Sequence, residues 1–227
     1  MHPAEIAARH AGIFITLEGG EGSGKSTQAK LLAQHLRDTG HEAILTQEPA
    51  GTPVGVLLKG VLERQASGGG PPITPQAELF LFAAARADHV RTVITPALES
   101  GLIVVCDRFA DSTVAYQGYG RGLPLREIAI LNRIATQGLT PDLTLLLDVP
   151  PDAGIDRANA THDAGHKSRD ALGEETLDFH RRVRKGFLAI AQAEPERVVA
   201  IDALQPQDIV TEAVWAAVEI ITAQERS

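Results

Sequence analysis

Aromatic side chains make up only 4% of the 227 residues, and there is one cysteine. A single thiol, Cys106, permits neither an intramolecular disulfide nor a cysteine-based zinc site. It closes an apolar run from Leu102, which points to a buried core position and a reducing compartment. No stretch reaches the roughly 18 apolar residues of a spanning helix. Met1 to Gly12 carries charge and histidines where a signal peptide needs an apolar segment. A basic tract is also missing: Lys plus Arg number 21 against 29 Asp plus Glu, a formal net charge of −8. That balance argues against coating DNA or an anionic membrane. The expectation is a cytoplasmic protein with no nucleic-acid and no membrane partner.

What is present is ordinary for a globular enzyme-sized chain, with 44% hydrophobic and 22% charged residues. Such usage excludes disordered, collagen-like and coiled-coil chains. At about 150 residues per domain the length suggests one domain with an appendage. We expect a low-order extension over residues 1–12 and a single domain over residues 13–224. Apolar runs of strand length occur at Ile13 to Leu17, Ala43 to Thr46, Leu102 to Cys106, Leu143 to Leu147 and Val198 to Ile201. Helical patterns lie between them, around Ser26 to Asp38, Val54 to Glu63, Thr74 to Glu99, Leu125 to Gln137, Glu174 to Gln192 and Pro206 to Thr222. Continuous apolar strands alternating with helices predict an α/β fold, a parallel sheet covered on both faces. Function is then expected at the carboxyl ends of the strands.

The first strand runs into Gly19, Gly20, Glu21, Gly22, Ser23, Gly24, Lys25, Ser26 and Thr27, which fits G-x-x-x-x-G-K-[ST]. Glycines allow a tight loop whose N–H groups face a phosphate, and the next helix adds its positive N-terminal end. Lys25 is expected to neutralise the β and γ phosphates of ATP, with the Ser26 hydroxyl on Mg²⁺. The third strand ends in Asp107 and Arg108. An Asp there suits a metal and its waters, and the Arg can fork onto a phosphate. Asp148, which ends another apolar strand, competes for the metal role but has no basic neighbour in sequence.

EGGEGSGKST, QEPAGTPVG, LFLFAAARADHV, DRFADSTVAYQGYGRG, PDLTLLLDV and IDALQP, in this order, resemble the bacterial thymidylate kinases over nearly the whole chain. The resemblance implies the P-loop kinase fold, with five parallel strands and a mobile lid over about residues 157–173. It implies Mg²⁺-dependent transfer of the γ-phosphoryl of ATP to dTMP in a homodimer. Carried over residue by residue, it puts Phe82 against the base, with Arg86 and Gln117 on its polar edge and Thr113 beside Gln117. Tyr116 is placed against the sugar, Arg108 on the acceptor phosphate, and Glu21 near the sugar 3′-hydroxyl. Glu48 and Pro49 match the family's R-E-P-G-G, which here reads Gln47, Glu48, Pro49, Ala50, Gly51. Lys59 stands where an Arg often binds phosphate and is expected as a weaker contact. Gly22 leaves the loop without the Arg some members carry. Arg157 and Arg169, in a polar and poorly helical lid, are therefore expected to supply the transition-state charge.

Two other readings remain open. Another small P-loop kinase acting on a different nucleotide or nucleoside is the nearer. A GTPase-like switch needs N-K-x-D, and the two asparagines, Asn132 and Asn159, precede Arg133 and Ala160. His162 and His166 loosely echo a zinc helix, but no third ligand accompanies them.

Overall fold

The computed structural model describes residues 11–66, 70, 73–163 and 175–224. Among these, β1 (Phe14–Glu18), β2 (Ala43–Gln47), β3 (Ile103–Asp107), β4 (Leu143–Asp148) and β5 (Val198–Asp202) form one sheet in the order β2-β3-β1-β4-β5. Every neighbouring pair is parallel. β1 and β3 are buried along their whole length, which is why their sequences are continuously apolar rather than alternating. Successive side chains of β1 go to opposite faces. Ile13, Ile15 and Leu17 pack with Leu32 and Leu36 of α1 (Lys25–Asp38) and with Val214 of α9 (Gln207–Gln224). Phe14 instead joins Val104, Cys106 and Phe109, under Val90, Ile94 and Leu98.

The expected long helix from Thr74 is α3 (Pro75–His89), a π-helical stretch Val90–Ile94 and α4 (Thr95–Glu99). Thr74 caps it by accepting the Ala77 N–H at 3.3 Å. The remaining expected helices are α2 (Pro53–Ala66), α6 (Leu125–Thr136) and α8 (Leu177–Ala193). Two helical segments differ from expectation. After β3 the chain forms α5 (Ala110–Thr113) and continues as a π-helical stretch, Val114–Gly120, on which Tyr116 and Gln117 lie. The region expected to be a poorly helical lid begins as a regular helix, α7 (Pro151–Asp163), with Arg157 inside it. Pro151 at its first position needs no N–H partner there, so the two prolines start this helix rather than forbid it. The lid residues 164–174, with His166 and Arg169, lie outside the described residues, as do residues 1–10 of the expected extension.

β1 lies between β3 and β4, so the connections leaving β1 and β4 diverge and open a crevice at their carboxyl ends. The glycine loop fills it, pressed against α7. A Cβ on Gly22, whose φ is +64°, would lie 1.9 Å from the Gly154 carbonyl oxygen. One on Gly154 would lie 2.3 Å from the carbonyl oxygen of Glu21. A long side chain at position 22 therefore has no room against α7. Gly60, in contrast, faces open space on α2. We predict that Gly154→Ala lowers unfolding stability by about 1–3 kcal/mol, whereas Gly60→Ala raises it by roughly 0.5–1 kcal/mol through reduced chain entropy. Urea titration of the two variants checks both signs.

Candidate active site

The loop after β1 needs its glycines because Gly19, Gly22 and Gly24 have φ of +145°, +64° and +89°. Gly24 leads into α1 without a side-chain cap and with no acidic residue in the first turn. This helix start is left for an external anion. Lys25 is buried, and its Nζ donates to the Gly20 carbonyl at 2.7 Å and to Ser23 Oγ at 3.3 Å, inside the loop. Ser26 Oγ donates directly to Asp107 Oδ2. The expected metal ligands thus meet across the sequence. Asp107 Oδ1 is buried and accepts no hydrogen bond. A cavity of about 360 Å³ beside this pair is bordered by Gln47, Ala50 and Gly51. Gln47 and Ala50, where the chain departs from the family's R-E-P-G-G, therefore line the same cavity as Ser26 and Asp107. Gly51 could not change with them, since a Cβ there would meet His89 Nε2 at 2.4 Å.

Asp148 does not compete for a metal. Arg184 Nε and Nη2 each donate to one of its oxygens at 2.8 Å. The basic partner absent from its local sequence arrives from α8.

Arg108 has φ +73°, the left-handed region that a branched-free but bulky residue adopts only under constraint. The constraint is visible next to it. Glu18, the last residue of β1, accepts the Phe109 N–H at 2.7 Å, the Ser112 N–H at 3.2 Å and the Ser112 hydroxyl at 2.5 Å. This carboxylate pins the turn on either side of α5's start. Arg108 Nη1 then donates to the Gly19 carbonyl at 3.3 Å and to Ser112 Oγ at 3.1 Å, and Nη2 to Tyr116 OH at 3.2 Å. Its guanidinium lies 5.0 Å from the Tyr116 ring centroid. Arg108 bridges the phosphate loop and the expected acceptor side.

On that side Glu48, Arg86 and Thr113 meet one another. Arg86 is 1% exposed. Its Nε donates to Glu48 Oε2 at 2.8 Å, Nη1 to Thr113 Oγ1 at 2.8 Å and to Asn132 Oδ1 at 2.9 Å, and Nη2 to the Phe109 carbonyl at 3.1 Å. Nη2 also lies 2.8 Å from Glu48 Oε2. With four donors in hydrogen bonds and Nη2 also beside Glu48 Oε2, a base carbonyl reaches Arg86 chiefly by sharing or replacing one of these contacts. His89, fully buried, lies 2.6 Å from Thr46 Oγ1 and 3.4 Å from Glu48 Oε1. The Glu48–Pro49 peptide is cis. Phe82 is half-buried one turn before Arg86. Gln117 is buried and donates from Nε2 to Glu78 Oε1 at 2.8 Å.

Two expected site residues stand elsewhere. Lys59 lies 3.6 Å from Glu63 one turn along α2, both partly exposed, and the structure does not bring it to Arg108. The i,i+4 geometry of the helix supplies its partner. Arg157 Nη1 donates to the Ala203 carbonyl at 2.6 Å, with the Leu204 carbonyl 3.4 Å from Nη2, so it ties α7 to the turn after β5. Glu18, Glu78, His89 and Arg121 were missed by sequence reasoning. A carboxylate ending a strand that is otherwise apolar but for Thr16 is the signal that could have found Glu18, because a buried charge must have partners.

Burial raises the Glu18 carboxyl to about 7, with Asp111 adding to the rise and the Ser112 hydrogen bond, Arg108 and the Phe109 N–H opposing it. Burial likewise holds the Cys106 thiol well above its usual range, so this cysteine is a core residue and no nucleophile. Because folded Glu18 holds its proton to a higher pH than the unfolded chain, its contribution to stability falls as pH rises from about 4.5 to about 7. Glu18→Gln carries no such titration. We predict that the variant's unfolding free energy minus that of wild type increases between pH 5 and pH 8, so the variant gains stability relative to wild type. Denaturant curves at both values measure this, and a difference independent of pH contradicts it.

Comparison with known proteins bears on the same residues. A family model described as thymidylate kinase matches residues 17–214. The chain is 52% identical over 207 residues to a thymidylate kinase of Synechococcus sp. (strain JA-2-3B'a(2-13)), covering 91% of this chain and 94% of that one. It is 47% identical over 207 residues to one of Deinococcus radiodurans, covering 91% and 96%. The crystal structure of thymidylate kinase from Ehrlichia chaffeensis superposes with a TM-score of 0.71 at 32% identity, over 91% of this chain and 98% of that one. The match thus spans the phosphate loop, the Asp107–Arg108 turn and the helices that carry Arg86 and Gln117, and on this ground the chain belongs to the thymidylate kinase family.

Proposed function

We propose that the protein transfers the γ-phosphoryl group of ATP to dTMP, giving ADP and dTDP. The observation that carries the assignment is Arg108, which touches both the phosphate loop at Gly19 and the acceptor side at Tyr116. ATP phosphates take the N–H groups of residues 19–27 and the N-terminal end of α1. Lys25 exchanges its contact with Gly20 for the β and γ oxygens and offsets the charge that spreads over them in the transition state. Arg108 holds the dTMP phosphate in line, and Glu21 accepts from the sugar side. Tyr116 packs on the deoxyribose, Phe82 lies against the base, and Glu48, Pro49, Arg86 and Thr113 wall the pocket. Gln117 faces the polar edge of thymine. Arg157 takes no chemical step in this scheme, and neither does Lys59.

The donor set suits Mg²⁺, a hard cation that keeps waters and substrate oxygens and uses few protein ligands. Ser26 and Asp107 would hold it, and the unpartnered Asp107 Oδ1 is an oxygen ready for a cation or its water. Among the described residues no group of three or more His, Cys, Asp or Glu is placed to hold a metal ion. When bound, the ion neutralises charge on the β and γ phosphates.

We further propose a homodimer through α2 and α3. Val54, Leu57 and Val61 share one face of α2 and are exposed, Leu57 at 73%, and Phe80 on α3 is 61% exposed. Both helices follow the loop that carries Glu48, so a partner seated there would stiffen the acceptor pocket. Among the described residues no helix is long and apolar enough to cross a membrane. We place the enzyme in the cytoplasm, where thymine nucleotides and ATP meet and where the reduced Cys106 suits the redox state.

An assay of ADP release across dTMP, dUMP, dCMP, dGMP and thymidine tests the assignment, with dTMP expected first. Lys25→Ala is expected to lower kcat by on the order of 10²-fold with the fold retained. Near-normal turnover by that variant would reject the donor site. For the dimer, Leu57→Glu is expected to give a monomer by light scattering.

A further inference from the structure

Arg121 belongs to no step of the reaction, yet it is one of the most heavily paired residues near the pocket. It lies just beyond the π-helical stretch that carries Gln117. Its Nε donates to Glu78 Oε1 at 3.2 Å and its Nη2 to Glu78 Oε2 at 2.9 Å. Nη1 donates to Glu175 Oε1 at 2.5 Å, next to the start of α8. The guanidinium also lies 4.8 Å from the centroid of the Phe179 ring. Glu78, in the first turn of α3, is only 2% exposed and has a second partner, Gln117 Nε2 at 2.8 Å.

The chemistry of this chain of contacts is directional. A side-chain amide can present either its carbonyl oxygen or its NH2 group, and the two orientations have nearly the same shape. An ionised carboxylate accepts and cannot donate. Against Glu78, only the NH2 end of Gln117 makes a hydrogen bond; the reverse orientation sets two acceptors face to face at 2.8 Å. Arg121 keeps the carboxylate in place through both oxygens and gives this buried group a charged partner. The consequence falls on the other end of the amide. Among the described residues nothing donates to Gln117 Oε1.

We propose that Glu78, held by Arg121, is a specificity-determining positioning residue that fixes the amide of Gln117 with its carbonyl oxygen toward the substrate base. This rests on the assignment of dTMP as acceptor and of Gln117 to the base edge. Thymine and uracil carry an N–H at ring position 3 and donate to that oxygen. Cytosine has an unprotonated nitrogen there, and it meets the oxygen as a second acceptor. A site with one rigid acceptor rejects such an analogue far better than a site whose amide can turn over. Glu78 therefore converts a group that reads both pyrimidine types into one that reads only the protonated edge.

The test compares kcat/KM for dTMP, dUMP and dCMP in wild type, Glu78→Gln, Gln117→Leu and the double variant. Glu78→Gln can both donate and accept, so Gln117 is freed to turn. The dCMP-to-dTMP ratio of kcat/KM is expected to rise about tenfold or more, with the KM for ATP unchanged. In the Gln117→Leu background the same substitution is expected to move the ratio by less than about twofold, because no amide remains to orient. Equal losses for dTMP and dCMP in Glu78→Gln overturn the proposal, as does an equal shift of the ratio in both backgrounds. If Glu78→Gln does not fold, Arg121→Lys replaces it. That variant keeps the charge but loses the fork, so a rise of at least about threefold in the ratio is expected and an unchanged ratio overturns the proposal. Failure of the wild type to phosphorylate dTMP counts against the acceptor assignment instead, so the two readings fail separately.

Discussion

Arg86 is a charged side chain with almost no exposed surface, so the fold must bring acceptors to its guanidinium. They come from four places: Glu48 after β2, the Phe109 carbonyl after β3, Thr113 on α5 and Asn132 on α6. An arrangement that left one donor unpaired would cost about 1–3 kcal/mol. Against an apolar replacement the network adds little net stability. What it determines is relative position. The elements that wall the acceptor pocket are mutually fixed by one planar group on α3, and His89 extends the same network to Thr46 on β2.

Glu18 plays the corresponding role on the other side of Arg108. Its position on β1 follows from side-chain alternation, with Phe14, Thr16 and Glu18 on the face that carries Phe109 and Ser112. There it meets the exposed N–H groups of a helix start, the environment in which a carboxylate is best placed. Holding that turn keeps Arg108 in the left-handed region, at an expense of roughly 1–2 kcal/mol for a residue with a Cβ. Asp111 is held away in turn by Arg197, which donates to it at 2.8 and 3.1 Å. The geometry of Arg108, which links Gly19 to Tyr116, is thus set by the contacts that hold the turn beside it.

The parts of the protein legible in the sequence are those with local causes. The five strands fall within a residue or so of their apolar runs, since strands covered on both faces need nothing but apolar side chains. The phosphate loop is written in consecutive glycines. Ser26 and Asp107 could be picked out separately because one closes the phosphate-loop motif and the other ends an apolar strand, and the structure brings them into contact. Illegible parts depend on partners distant in the chain. Glu18 and Ser112 are 94 residues apart, Gln117 and Glu78 are 39 apart, and nothing near Asp148 announces Arg184. The α7 helix escaped for a different reason. Its polar sequence carries little apolar periodicity, yet Pro151 suits a helix start and Gly154 is demanded by the phosphate loop that packs on it. The π-helical stretch after α5 has no sequence pattern of its own.

Satisfied and unsatisfied polar groups divide the site in two. On the acceptor side the buried charges are paired before any substrate arrives: Arg86 with Glu48, Arg121 with Glu78, Arg108 with its loop and Tyr116. The phosphate side is different. There α1 begins without a side-chain cap, and Asp107 Oδ1 is buried with no donor. Folded chains rarely leave such groups unmatched, and where they do a ligand commonly completes the set. Under the proposed assignment, one half of the site discriminates, with fixed donors and acceptors that penalise the wrong base edge. The other half is shaped to be completed, and its missing partners are an anion at the start of α1 and a cation at Asp107. A polyphosphate carrying a divalent ion is one ligand that supplies both.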